Sequence, residues 1–304
     1  MLTEQDTKLI RLGIQPTCWT NDDFPEIGDT TPFQVILDET KACGFEGGST
    51  GHNYPKHLPS LKDALERRSL SITSTWVGTQ FTAEGQYFAT LETVREQIAF
   101  LKAVGTRDLV VAELAAAVNQ VRTKAVLNDR PVFNEAQWYL LQKGLNEAGR
   151  IAAKEGMHLC YHPHVGTGVQ DRGEIDRLMG GTDLSTVWMC LDTGHAYFAS
   201  VDPIQLTRDY IDRIGHIHLK NVRKEVMNRA VQGRYSFYQS ICEGIFTVPG
   251  DTAGAIDFAP IFELLVNHKY KGWLVVEAEQ DPAKANPKAY AKMAFEFIQH
   301  GLSR

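Results

Sequence analysis

The chain has 304 residues, of which 43% are hydrophobic and 22% are charged, and this composition predicts a globular protein with a large core. Its formal net charge of -6 provides no basic surface and argues against nucleic acid as a partner. Early acidic residues argue against a signal peptide, and no apolar run has the length of a membrane span. We therefore expect a soluble cytoplasmic protein.

Strand-like and helix-like segments alternate along nearly the whole chain. Strands are predicted at Leu12–Gln15, Gly44–Gly48, Ser71–Val77, Asp108–Ala112, His158–His162, Val187–Asp192, His216–Lys220 and Trp273–Ala278. Amphipathic helices are predicted at Pro32–Cys43, Pro59–Arg68, Leu91–Val104, Glu135–Glu155, Arg172–Met179, Pro203–Tyr210, Ala259–Asn267 and Pro287–His300. Eight such pairs predict a single α/β domain over residues 1–304, a closed parallel (β/α)8 barrel or TIM barrel.

The segment at about 222–257 is the one stretch long enough for an inserted flap. It follows the seventh predicted strand, so it would lie on the catalytic face, where Phe246–Asp251 could close over a ligand. An ordinary long surface loop is the equally weighted alternative.

A doubly wound open sheet is the competing α/β fold. It would place a glycine-rich turn after the first strand, whereas this chain has Thr17-Cys-Trp-Thr-Asn-Asp-Asp23 there. No phosphate-binding glycine loop occurs elsewhere either, so we expect no nucleotide cofactor.

The five cysteines are odd in number and widely spaced, and no C-x-x-C pair is present. Their neighbours are mostly apolar. We therefore expect reduced cysteines in the core rather than a disulfide, a zinc knuckle or a redox dithiol.

Metal-type ligands follow four consecutive predicted strands. They are His162 or His164 after strand five, Asp192 after six, His218 after seven, and Glu277 or Glu279 after eight. Because the carboxyl ends of barrel strands meet on one face, these side chains are expected to converge. A mixed nitrogen and oxygen set with an open position suits a catalytic divalent ion, which could be Mn, Co, Fe or Zn.

Three further residues at strand ends are candidates for acid and base catalysis, namely Glu113, His195 and Lys220. Lys220 lies two residues beyond His218 and so faces the same side, although an ion pair with Glu113 or Glu279 would explain it equally well. The sequence does not divide acid and base among the three.

Residues near the predicted pocket mouth are candidates for substrate binding. Aromatic faces suit the C–H side of a sugar-like ring, while hydroxyls need amides, imidazoles and carboxylates. Core packing is the alternative for Trp19 and Trp76. The full set of candidates is Trp19, Asn21, His52, Trp76, His164 and Glu279.

The motifs Leu191-Asp-Thr-Gly-His195, His216-Ile-His-Leu-Lys-Asn221 and Gly272-Trp-Leu-Val-Val-Glu277 resemble the xylose-isomerase-like barrels, which include sugar phosphate isomerases, sugar epimerases and endonuclease IV. The stretch Gly13-Ile-Gln-Pro-Thr-Cys-Trp-Thr-Asn-Asp-Asp23 is narrower. With Gly44-Phe-Glu-Gly47, Asn53-Tyr-Pro55 and Tyr161-His-Pro-His-Val-Gly-Thr167, it is similar to the inosose dehydratases of inositol catabolism. The resemblance covers the chain from about residue 10 to the C-terminus.

The resemblance implies a metal-dependent hydro-lyase that removes water from 2-keto-myo-inositol. It also implies a metal, most simply Mn or Co with Zn, Fe or Mg as alternatives, held by His162, Asp192, His218 and Glu277. His162 stands where epimerases of the superfamily place a glutamate, which argues against simple epimerisation. A homo-oligomer is a further implication, since related barrels often associate through their rim loops.

A second departure follows strand two, where relatives often carry a glutamate and this chain has Gly48-Ser-Thr-Gly51. Several other functions therefore stay open at this point: a ketose epimerase or isomerase, an enzyme for a phosphorylated sugar, a repair endonuclease, and a non-catalytic binding protein. Acidic charge disfavours the endonuclease, and the lack of a phosphate loop disfavours the sugar phosphate.

Overall fold

Eight parallel strands close into a barrel in the computed structural model, which describes residues 9–303. We number the barrel strands in chain order. They are β1 Ile10–Ile14, β2 Gly47–Gly48, β3 Ser71–Ile72 continued by Ser74–Thr79, β4 Asp108–Glu113, β5 His158–Tyr161, β6 Val187–Asp192, β7 Ile214–Leu219 and β8 Gly272–Val276. The predicted (β/α)8 barrel is confirmed.

Closure depends on β1 and β3. Strand β1 pairs with both β8 and β2, and the two halves of β3 pair with β2 and with β4, so each neighbour is joined in parallel around the ring. Strands such as β4 are buried along their whole length because helices cover the outside and side chains fill the inside.

Helices surround the barrel, and most match the amphipathic segments predicted. They span Phe33–Ala42, Leu58–Glu66, Tyr87–Val104, Glu135–Lys154, Arg172–Gly181, Thr193–Phe198, Pro203–Tyr210, Lys224–Gln232, Phe237–Cys242, Ala259–Asn267 and Pro287–Leu302. Asn134 and Asp171 begin two of them with complete capping boxes. None of the helices among residues 9–303 has the length and apolarity needed to cross a membrane.

Strand β2 is much shorter than the predicted Gly44–Gly48. A Cβ on Gly47 would lie 2.1 Å from the carbonyl oxygen of Ser71, and one on Gly48 would lie 2.2 Å from that of Ile14. The strand therefore runs so close to its neighbours that only glycine fits, and the chain leaves the sheet on either side of this pair.

The segment after β7 contains structure that the hydrophobic pattern did not reveal. Asn221–Val222 pairs antiparallel with Phe246–Thr247, and two short helices lie between them, Lys224–Gln232 and Phe237–Cys242. Phe237 and Phe246 are fully buried and contact histidines at the carboxyl ends of the barrel strands.

Candidate active site at the carboxyl ends of the strands

A cavity of about 140 Å³ opens at the carboxyl ends of the barrel strands. Seven of the residues predicted for the site line this cavity, namely Asn21, Trp76, His162, His164, His218, Glu277 and Glu279. The sequence therefore predicted the face of the barrel and much of the cavity wall.

The four side chains proposed as metal ligands converge at this cavity, and three of them, His162, His218 and Glu277, line it. Asp192 Oδ2 lies 3.4 Å from His162 Nε2 and 3.6 Å from His218 Nδ1. His218 Nδ1 in turn lies 2.6 Å from Glu277 Oε2. Strand register explains the convergence, because Asp192 and His218 are direct partners across β6 and β7.

The donor atoms of this cluster fit a cation. Asp192 Oδ1 accepts a hydrogen bond from the backbone nitrogen of His195, whereas the buried Oδ2 makes no hydrogen bond to any described residue and lies 3.4 Å from Lys220 Nζ. Buried polar atoms without partners are costly, and atoms of this type converging on one point are what a metal ion needs.

Charge leads to the same conclusion. Asp192, Glu277 and Glu279 are three buried carboxylates around the ammonium of Lys220, and the neighbouring His218 must be neutral to bind a metal. Burying unpaired charge is strongly unfavourable. The excess of about two negative charges therefore fits one divalent ion in the cluster.

Lys220 is fully buried at the centre of the acidic residues. Its Nζ donates to Glu279 Oε1 at 2.8 Å, to Glu277 Oε1 at 3.0 Å and to His195 Nε2 at 2.9 Å. Burial by itself would lower the pKa of Lys220, but the charges of Asp192, Glu277 and Glu279 outweigh it and raise the pKa above its ordinary value. The three carboxylates therefore favour the charged, ammonium form of Lys220.

The Leu-Asp-Thr-Gly-His motif shapes the position of Lys220. The Thr193 hydroxyl donates to the Lys220 carbonyl oxygen at 2.6 Å and accepts from the Lys220 backbone nitrogen at 3.0 Å. A Cβ on Gly194 would lie 2.4 Å from Lys220 Cγ, so the lysine stem fills the space that a larger residue would need.

The rings of His164 and His195 are in contact, with centroids 3.8 Å apart and planes tilted by 35°. Burial, then the neighbouring positive groups, holds the pKa of both imidazoles well below the ordinary value, so both are neutral. His164 Nδ1 donates to the carbonyl oxygen of Val165 at 2.7 Å, which leaves Nε2 as its free acceptor. His195 does not line the cavity, whereas His164 does.

Glu279 combines a free oxygen with access to the cavity. Its Oε1 accepts from Lys220, while its buried Oε2 has no partner among the described residues. Burial raises the pKa of Glu279 above its ordinary value, although the Lys220 charge opposes this.

The structure corrects the expectation for Glu113. Its two carboxylate oxygens accept four hydrogen bonds, from the Thr79 hydroxyl, the Phe81 backbone nitrogen, and the backbone nitrogen and hydroxyl of Thr82. It lies outside the cavity wall and is not paired with Lys220, and its four hydrogen bonds hold the turn after β3.

Two of the residues predicted at the pocket mouth also lie elsewhere. Trp19 is buried in the core, where its indole nitrogen donates to Glu39 at 2.6 Å, so the alternative of core packing is correct. His52 bonds Asp22 at 2.7 Å, and only Asp22 reaches the cavity. Trp76 is 45% exposed at the mouth, with its ring 5.5 Å from that of His162.

Sequence reasoning missed polar residues that follow β1. Gln15 Nε2 lies 3.3 Å from His218 Nε2, and the Ser49 hydroxyl donates to the Gln15 side-chain oxygen. Ser49 lies after strand two, where relatives often carry a glutamate, and it orients Gln15, which contacts the proposed metal ligand His218. Thr17 Oγ1, also missed, and Nδ2 of the predicted Asn21 are buried beside the same cavity and have no hydrogen-bond partner among the described residues. The sequence did contain a signal for Gln15, because it is a polar residue at the end of an apolar strand.

A parallel barrel with a cluster of histidines and carboxylates at the carboxyl ends of its strands is typical of metal-dependent barrel enzymes. The profile of the family described as "Xylose isomerase-like TIM barrel" matches residues 37–300 of this sequence. The chain belongs to this family.

Within the family, the chain is similar over nearly its full length to proteins named inosose dehydratase. That of Clostridium botulinum (strain Alaska E43 / Type E3) is 40% identical over 97% of this chain and 98% of its own. That of Bacillus thuringiensis (strain Al Hakam) is 42% identical over 95% of this chain and 96% of its own. The resemblance predicted from the sequence motifs is therefore confirmed.

Solved structures with low identity share the fold. A structure of L-ribulose 3-epimerase superposes with a TM-score of 0.68 at 19% identity, covering 97% of this chain and 95% of that one. The probable 3-DHS dehydratase AsbF from Bacillus anthracis gives 0.70 at 14% identity, with coverage of 95% and 98%.

Proposed function

We propose that this chain is an inosose dehydratase, a hydro-lyase that removes water from 2-keto-myo-inositol in inositol catabolism. The observation that carries the proposal is identity of about 40% with inosose dehydratases, extending over nearly the whole of both chains. The cavity and its polar wall give this reaction a site. We further propose a cytoplasmic enzyme with one catalytic domain, in which residues 222–257 form the roof of the site.

The metal ligands in this proposal are His162, Asp192, His218 and Glu277, and Mn or Co is the expected ion. A divalent ion held there supplies Lewis acidity to the ketone oxygen of the substrate and so makes the adjacent C–H more acidic. Asp192 Oδ2 supports this assignment, because it makes no hydrogen bond to any described residue and lies near His162, His218 and the Lys220 ammonium.

Glu279 is the proposed proton carrier. Glu279 lines the cavity, its buried Oε2 has no hydrogen-bond partner among the described residues, and Lys220 holds its Oε1. It would take the proton from the α carbon, the electron pair would form the new double bond as the β C–O bond breaks, and the proton would pass to the departing oxygen to give water. One carrier serving both atoms predicts loss of both groups from the same face of the ring.

Lys220, His195 and His164 have supporting parts in this mechanism. Lys220 orients Glu279 through the 2.8 Å hydrogen bond and adds positive charge near the developing oxyanion. His195 accepts from Lys220 and so holds the ammonium in place. His164, with its free Nε2 at the cavity, is a hydrogen-bond acceptor for a substrate hydroxyl.

The far wall of the cavity favours an uncharged polyol. Amides and carboxylates line it, including Asn21, Asp22, Asp23 and Asn119, and no lysine or arginine of the described residues belongs to the wall. Carboxylates would repel a phosphate group, whereas amides and carboxylates bind hydroxyls well. A neutral keto-cyclitol fits this wall better than a sugar phosphate.

The proposal is tested by mixing purified protein, reloaded with Mn or Co, with 2-keto-myo-inositol and following dione formation by ultraviolet absorbance. A chelated sample that stays folded by circular dichroism is the control. We expect product only with metal. Absence of product, together with interconversion of free ketoses, would instead assign a ketose epimerase.

The role of Glu279 has its own test. Glu279→Gln is expected to lower kcat by about 10²- to 10⁴-fold and to abolish solvent-deuterium exchange at the α carbon. His164→Asn is the matched variant on the same wall, and exchange should persist in it. Normal exchange in Glu279→Gln would refute its role as the proton carrier.

A further inference from the structure

The ammonium of Lys220 is surrounded by four atoms of the kind that bind divalent metals. They are Glu279 Oε1 at 2.8 Å, His195 Nε2 at 2.9 Å, Glu277 Oε1 at 3.0 Å and Asp192 Oδ2 at 3.4 Å. Imidazole nitrogen with carboxylate oxygen is a usual ligand set for catalytic zinc, manganese and cobalt. The lysine side chain therefore occupies a place built like a cation site.

This place adjoins the proposed metal cluster and shares two carboxylates with it. Glu277 turns Oε2 toward His218 and Oε1 toward Lys220, while Asp192 Oδ2 lies near His162, His218 and Lys220. Shared carboxylates between two neighbouring cations are typical of two-ion sites, where the ions lie about 3.5–4 Å apart.

One more histidine is arranged as a ligand on the same side. Ligand atoms of His164, His195 and Glu279 lie within 4.8 Å of one another. His164 donates its Nδ1 proton to the Val165 carbonyl oxygen at 2.7 Å, the backbone hydrogen bond by which metal-binding histidines are usually oriented. Glu279 Oε2 is buried and has no partner among the described residues.

We propose that the Lys220 ammonium fills a second divalent-cation site, so that the chain binds one metal ion where its ligands would otherwise hold two. The inference rests on the proposed function for the first ion. The Lys220 charge belongs to the chain and cannot dissociate as an ion can, and it contacts Glu279 as well as the proposed ligands Asp192 and Glu277. Three buried carboxylates are then balanced by one ammonium and one divalent ion.

Removing the lysine should turn the second place into a metal site. Lys220→Ala opens the space and leaves His195 Nε2 and Glu279 Oε1 without a cation, and a buried uncompensated carboxylate strongly favours binding of another ion. Lys220→Met is the matched control, because it also loses the charge but keeps a side chain in the space.

The readout is the number of metal ions per chain, measured by elemental mass spectrometry after equilibration with Mn, and the Mn electron paramagnetic resonance spectrum. We expect one ion in wild type and in Lys220→Met, and two in Lys220→Ala with a spin-coupled signal. The double variant Lys220→Ala/Glu279→Gln should return to one ion. A folded Lys220→Ala protein that saturates at one ion overturns the inference.

Instability of Lys220→Ala does not remove the test. If this variant is unfolded without metal, excess Mn is expected to restore its circular dichroism with two ions bound, and failure to gain either structure or a second ion also overturns the inference. Wild-type protein tests the proposed function separately. If folded wild-type protein binds no ion, the metal of the proposed function is contradicted. If wild type and Lys220→Ala each bind one ion, only the second site is contradicted.

Discussion

Gly194→Ala should damage the active site while leaving the barrel folded. The new Cβ would lie 2.4 Å from Lys220 Cγ and 2.8 Å from its Cβ and Cδ, whereas carbon atoms in contact prefer about 3.5–4.0 Å. The lysine stem must therefore move by about 1 Å. Its Nζ hydrogen bonds of 2.8–3.0 Å to His195, Glu277 and Glu279 cannot all survive such a shift.

The energetic cost follows from two opposing effects. Alanine in place of helical glycine stabilises by about 0.5–1 kcal/mol, while overpacking a dense core costs about 1–3 kcal/mol, so the expected net loss is between about 0 and 2.5 kcal/mol. Misplacement of a catalytic group by about 1 Å costs on the order of 10²-fold in rate, which is the loss expected in kcat/KM.

Gly180→Ala is the matched control for this prediction. Gly180 also lies in a helix, is exposed, and has nothing within 4 Å of a new Cβ, so only the helix-propensity gain applies. Urea unfolding and dehydratase kcat/KM at equal metal content would be measured for both variants. Equal stability and equal activity of Gly194→Ala and Gly180→Ala would refute the argument that the Lys220 stem needs a glycine there.

Three further predictions concern a structural carboxylate, the thiols and the metal. Glu113→Gln removes the charge that receives four hydrogen bonds and should lower the free energy of unfolding by about 1.5–3 kcal/mol. The kcat per folded molecule should stay nearly unchanged. A large fall in kcat at normal stability would instead give Glu113 a catalytic role. Burial raises the pKa of Cys18 to about 12, so its thiol stays neutral at pH 8. Iodoacetamide should therefore label the less buried Cys242 before Cys18, as followed by peptide mass spectrometry. Equal labelling of the two cysteines in the native protein would contradict this. Asp192→Asn should weaken Mn binding at least about 10-fold by equilibrium dialysis, and unchanged affinity would exclude Asp192 as a ligand.

The fold was predictable because its main signals are local. Amphipathic periodicity and alternation with short apolar runs identified the barrel, and seven of its eight strands overlap closely with those predicted. The exception is β2, whose length depends on how near Ser71 and Ile14 pass to Gly47 and Gly48. Distances between segments far apart in sequence leave no periodic pattern in the sequence. The length of β2 was therefore mispredicted for a physical reason.

The residues that follow the barrel strands at the site were predictable for a similar reason. Which of their side chains line the cavity and which lie behind its wall was not. Asp192 and His218 follow apolar strands, and parallel register brings them together. Lys220 and His195, equally close to strand ends, lie behind the cavity wall. Glu113 turns away because Thr79 and Thr82 offer it four donors. Which neighbour satisfies a polar group depends on tertiary contacts that no single strand encodes.

Glu277 and Glu279 show how far the alternation of side chains can be extended. Both were candidates after strand eight because residues two apart face the same side while the strand persists. Strand β8 ends at Val276, so both lie just beyond the regular ladder, and their partners differ. Glu277 contacts His218 through Oε2 and Lys220 through Oε1, whereas Glu279 contacts Lys220 through Oε1 and its buried Oε2 has no partner among the described residues. Because Lys220 bonds one oxygen of each carboxylate, the contact with His218 is what distinguishes the glutamate proposed to hold a metal from the one proposed to move a proton.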